Sequence, residues 1–221
     1  MNLFILDHDH TLNAQYHIDL HVGKMQLEAV QLMTTTLWVD KLLGYVPRAL
    51  EKEERDELTR AKKLEPSIEE RQFTRYLPTH VNHPCAIWAR TSDANFNWIG
   101  DYVLALNEEN KWRGFKDHAS CAELLRLPEP QRLTCEGLTP FAQAMPDEYR
   151  SPDPVDAYRH YYMGEKANMA VWRKRGKPDW WDDMLVTYSK DDPHEAYKKT
   201  VIAKVNKGKP WSKMGVVGGG R

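Results

Sequence analysis

Between Thr11 and Leu43 apolar residues return at every third or fourth position. Val22, Met25, Ala29, Leu32, Met33 and Leu37 therefore fall on one face of a helix. Gly44 and Pro47 supply the stop. Strand-like alternation is scarce elsewhere, so the sequence predicts a mostly α fold. The expected architecture is a compact multi-helix single domain, with Met1 to Leu6 as a short buried strand or extended arm. No run of about 18 apolar residues occurs, which excludes a membrane-spanning helix.

The remaining elements follow from local signals. Arg48 to Arg75 is densely charged and predicts an exposed helix followed by a loop near Pro66, inserted on the core rather than part of it. Pro78 to Pro84 predicts a loop. Cys85 to Trp112 predicts a second long helix closed by Gly114, and 117–127 a third, short one. Ser151-Pro-Asp-Pro is a helix-start signal, so Val155 to about Lys174 predicts a further helix. Residues 1–200 are expected to form the helical domain, with the charged insertion at about 48–75. Residues 201–221 are expected to form a basic, flexible tail.

Charge is distributed unevenly. Residues 158–221 carry 14 Lys/Arg against 7 Asp/Glu, although the whole chain is near neutral at −1. A basic end on a neutral chain predicts contact with a polyanion, or else a solvated tail. Three cysteines, Cys85, Cys121 and Cys135, lie far apart and are odd in number. That argues against a disulfide framework and for a reducing, cytoplasmic setting. The first twelve residues lack the basic and long apolar regions of a signal peptide.

Four constellations could carry chemistry. On the first long helix Glu28 borders the apolar stripe, with Lys24 one turn before it and His21 two turns before it. A carboxylate so placed is either paired or shifted toward its neutral form. The loop Thr79-His80-Val81-Asn82-His83-Pro84 could bring Asn82 and His83 to a cleft, with Trp88 and Trp98 lining a pocket. Equally, Asn82 or His83 could cap the next helix. In Ala157 to Lys166 aromatic and basic residues interleave, as binding a nucleic-acid strand requires. Tyr158, Arg159, Tyr162 and Lys166 are the candidates there, and Arg173 and Arg175 extend the set. The same residues would also suit an aromatic core helix with a basic outer face. Finally, His8, His10, His17, Asp19 and His21 crowd the N-terminal part, but no HExxH or CxxC pattern is present, and no metal is expected. No P-loop, GxGxxG or GxSxG motif occurs, so no cofactor is expected.

Four stretches carry a family resemblance: HVGKMQLEAVQLM (21–33), NHPCAIWAR (82–90), NWIGDYVLALNEENKWRGF (97–115) and AYRHYYMGEKA (157–167). Together they resemble small phage and bacterial proteins distantly similar to pyrimidine-dimer DNA glycosylase, the endonuclease V-like group. The resemblance spans residues 1–43 and 80–175. It implies a compact helical enzyme in which a free N-terminal α-amine attacks C1′ of a damaged nucleotide and forms an imine. A glutamate seven residues after a histidine on the first long helix stabilises the cationic sugar, and His21 and Glu28 have that spacing. It also implies that Tyr158 to Lys166 lies near the DNA, and that the protein works in the host cytoplasm if phage-encoded. In the family the amine belongs to a small residue exposed by loss of the initiator Met. Here residue 2 is Asn, which moves the expected amine to Met1 and leaves Lys24 as the substitute.

The expected function is thus a DNA base-excising N-glycosylase, with or without lyase activity, or a related base-processing enzyme acting on duplex DNA. The alternative is a non-catalytic phage protein that binds nucleic acid or a host protein through its basic aromatic C-terminal region. A third possibility is an enzyme of free nucleotides.

Overall fold

The computed structural model describes residues 1–181. The fold is mostly helical. Among the described residues the only strand-like pairing is an isolated parallel bridge between Ser92 and Thr134. No helix among them is long and apolar enough to cross a membrane. The expected tail at 201–221, and the end of the expected domain from 182, lie outside the described residues.

The helix expected over 11–43 is two helices, α1 (His10–Tyr16) and α2 (Asp19–Leu43). Asp9 caps α1, its carboxylate accepting the Leu12 N–H at 2.8 Å. His17 then turns extended, and the Ile18 N–H donates to the Tyr162 hydroxyl instead of to a helix carbonyl. A tertiary hydrogen bond breaks a helix that periodicity alone would run through. Gly44 ends α2 in the left-handed region at φ +80°, where only glycine is unstrained.

α3 (Lys52–Leu64) opens with Glu54 reaching back to the Glu51 N–H at 2.7 Å and pairing with Arg48 at 2.8 Å. The second expected long helix also divides, into α4 (Pro84–Ala89) and α5 (Asp93–Trp112). The cause is Ser92, whose hydroxyl caps α5 by accepting the Asn95 N–H at 3.2 Å. α6 is shorter than expected, Ala119–Leu124. α7 (Pro154–Lys166) starts where the Ser-Pro-Asp-Pro signal put it, with Asp153 as cap and Pro154 in the first turn. It ends at Lys166 rather than Lys174, in a 3-10 turn over Ala167–Met169.

Contacts group the chain into two units where one domain was expected. Among the described residues the first holds Met1–Leu3 and Gly23–Ala144; the second holds Phe4–Val22 and Met145 to Trp181.

In the first unit α3 is part of a core. Leu58 is buried with Trp38, Val39, Val46 and Leu50, which corrects the expectation that 48–75 stands off the core. A buried leucine contributes roughly 1.5–3 kcal/mol, enough to hold a charged helix down by one face. Arg90, 1% exposed, donates to the backbone carbonyls of Val46, Arg48, Val81 and Ala86. Burial lowers its pKa to about 10, so it remains a cation that ties two loops together. Trp88, Trp98, Tyr102 and Phe141 form a further aromatic group.

The second unit is built around Phe4, whose ring contacts His17, His21, Tyr158, Tyr161 and Tyr162. The N-terminal arm is extended but joins no sheet. Its polar backbone is satisfied by side chains: the Leu6 N–H donates to Asn13 Oδ1 at 2.8 Å, and the Leu6 carbonyl accepts from Arg159 Nε at 2.8 Å.

Candidate active site

The candidate site lies in the first unit. Lys24, Glu28 and Gln31 stand at i, i+4 and i+7 on α2 and so share a face. All three line an open cleft of about 570 Å³, together with Met1. The Met1 side chain is 4% exposed, whereas its amino group sits at the cleft 3.8 Å from Glu28 Oε2. The same carboxylate oxygen accepts the Asn2 N–H at 3.2 Å. The other oxygen faces Lys24 Nζ at 3.3 Å. Glu28 therefore carries three positively polarised neighbours and remains accessible at 15% exposure.

Asn2 fixes the approach of the amine. Its side-chain amide donates to the Ala144 carbonyl at 2.9 Å, and its oxygen accepts from the Cys85 thiol at 3.4 Å. An amine anchored at two further points loses little freedom on approaching a bound substrate, and that pre-organisation is what a nucleophile needs.

His83 caps α4, its Nδ1 accepting the Cys85 N–H at 3.2 Å. Burial pushes its pKa down, the positive charges of the α-amine and His80 push the same way, and Glu28 opposes them. His83 is thus a neutral imidazole near the amine, with Nε2 as the protonated nitrogen. His80 lines the cleft and holds the left-handed region at φ +50°, a strained backbone for a side chain of this kind. Thr79 bonds its Nδ1 at 2.8 Å, and its carbonyl accepts the His83 N–H at 2.8 Å.

Several expected residues do other work. Asn82 braces α3, its amide pairing with both the N–H and the carbonyl of Leu50 at 2.6 and 3.0 Å. Trp88 and Trp98 are buried against Phe141 and are not among the residues that line the cleft at Glu28. His21 belongs to the second unit, is 3% exposed, stacks on Phe4 and bonds the Tyr162 hydroxyl at 2.7 Å.

The nucleic-acid candidates of α7 are corrected by burial. Tyr158 and Tyr162 are 0% exposed, so neither ring can stack on a base. Arg159 is half-buried and committed to the Leu6 carbonyl, to Asp7 at 3.1 Å and to the rings of Tyr16 and Trp180. Lys166 lies over the Tyr161 ring. Arg173 is exposed, and its backbone N–H meets Asp19 at 3.1 Å, while Arg175 is partly exposed.

Lys62, Arg71 and Tyr76 also line the cleft, though sequence reasoning did not single them out. Among the described residues no cluster of three or more His, Cys, Asp or Glu could hold a metal ion. Compared with protein-family models, with curated proteins and with solved structures, the chain gives no match.

Proposed function

We propose that the protein excises bases from duplex DNA as an N-glycosylase with a following lyase step. The observation that carries this reading is the α-amine of Met1 held 3.8 Å from the Glu28 carboxylate in an open cleft.

The unprotonated amine attacks C1′ of a flipped-out nucleotide; the N–C1′ bond forms, the glycosidic bond breaks, and its electron pair leaves with the base. Glu28 lies where positive charge develops on the sugar and offers a fixed anion to it. It also takes the proton released by the amine and returns it to the ring oxygen as the sugar opens to the imine. Loss of a C2′ proton then expels the 3′ phosphate, and water releases the chain. Glu28, a carboxylate again once it has returned the amine's proton, is the base that takes the C2′ proton.

Glu28→Gln tests the division of roles. The amide keeps the shape and an oxygen for the Asn2 N–H but removes the charge. Single-turnover base release should fall about 10²–10³-fold, the usual cost of one transition-state electrostatic contact. Duplex affinity should hold or tighten, because an anion leaves a cationic cleft. Unchanged turnover on a substrate that the wild type processes would refute the assignment.

A further inference from the structure

The cleft around Glu28 is walled on one side by the segment that the sequence presents as an insertion. Lys62, in the last turn of α3, and Arg71, in the loop after it, both line it. With Lys24 and the α-amine they give the cleft four cationic groups against one carboxylate, Glu28. Lys24 is engaged with Glu28, while Lys62 makes no ion pair among the described residues. Arg71 is held by its own loop. Its Nε and Nη1 donate to the Pro66 and Arg75 carbonyls at 3.3 and 2.6 Å, which leaves Nη2 for a ligand. The wall is fixed through Leu58, which packs on Trp38, Val39, Val46 and Leu50.

We infer that Lys62 and Arg71 form a phosphate-binding wall that grips the strand flanking the nucleotide held at Glu28. The inference rests on the DNA-processing reading for the identity of the strand. A surplus of cations against a single carboxylate favours an anion over a neutral or cationic ligand. Guanidinium and ammonium groups fixed at a cleft edge match phosphodiester oxygens. The segment 48–75 is then the substrate-binding side of the site.

The test is a salt titration of the full chain bound to a labelled duplex carrying a tetrahydrofuran abasic analogue, read by anisotropy. Each phosphate contact contributes about 0.9 to the slope of log K against log salt. Lys62→Ala should lower the slope by about 0.9 and weaken binding about eightfold at 0.1 M salt, which is what that slope spans between 0.1 and 1 M. Lys63→Ala, its exposed neighbour off the cleft, should leave both unchanged. Arg71→Gln should add a second, similar step, and Lys62→Ala alone decides if that loop is disturbed. Equal effects at Lys62 and Lys63, or none at Lys62, would overturn the wall. A parallel titration with a deoxynucleoside monophosphate separates sources: equal affinity with a shallow slope would assign the site to a free nucleotide and overturn the strand. Borohydride trapping on the same samples keeps the two claims apart. Trapping with an unaltered Lys62→Ala slope fails the wall alone, whereas the absence of both trapping and salt-dependent binding fails both.

Discussion

Tyr162→Phe separates a buried hydroxyl from a base-stacking ring. The Tyr162 oxygen accepts the Ile18 N–H at 3.0 Å and bonds His21 Nδ1 at 2.7 Å, with Tyr162 at 0% exposure. Phenylalanine keeps the ring and its contacts with Phe4, His17 and His21 but leaves the Ile18 N–H buried without an acceptor. An unsatisfied buried donor costs about 1–3 kcal/mol, and the lost bond to His21 adds about 1 kcal/mol. The expected destabilisation is roughly 2–4 kcal/mol, a fall in Tm of roughly 5–15 °C for a chain of this size. Thermal and urea melts read it directly. Were Tyr162 an exposed stacking platform, phenylalanine would be neutral in both stability and DNA affinity. A melt within about 0.5 kcal/mol of wild type, the range of substitutions made away from such features, would refute the buried-hydroxyl argument.

Two further outcomes follow from other sites. A Cβ on Gly164 would stand 2.5 Å from the Tyr149 hydroxyl, which is itself held by Glu165 at 2.8 Å, so Gly164→Ala should cost about 1–3 kcal/mol in a urea melt. Burial lowers the pKa of both His83 and His118 below the ordinary 6.5, so the folded chain binds these protons less readily than the unfolded one. Their neutral forms carry no penalty above pH 6.5, and stability is lost as pH falls below it toward the folded values. His118→Asn, which keeps a cap acceptor for the Ser120 N–H, should flatten that acid-side slope in melts from pH 7.5 to 5.

The long-range parts of the fold were the parts least legible in the sequence. The 3.6-residue period located α2 and put Lys24 and Glu28 on one face, because that placement depends only on local geometry. The break at His17 was invisible, since a tyrosine 144 residues away supplies the hydrogen bond that ends α1. Ser92 was a readable cap, with Asp93 in the first turn behind it, and the apolar run on both sides masked it. The aromatic-basic pattern of α7 has two physical solutions, a surface for bases or a core with basic edges. Burial of Tyr158 and Tyr162 selects the second. Lys62 was indistinguishable from its solvated neighbours because only the burial of Leu58 decides which face of α3 turns outward.

The central claim is that the amine beside Glu28 is a nucleophile. The most direct measurement is borohydride trapping with ultraviolet-irradiated, abasic, phage-modified and unmodified duplex DNA, followed by mass-spectrometric mapping of the adduct. The account predicts a covalent DNA adduct on the α-amine of Met1, formed with a damaged, abasic or modified duplex and absent with the unmodified control. No adduct and no base release on any of these substrates, with salt-sensitive binding intact, would contradict it and leave a protein that binds DNA without cutting it.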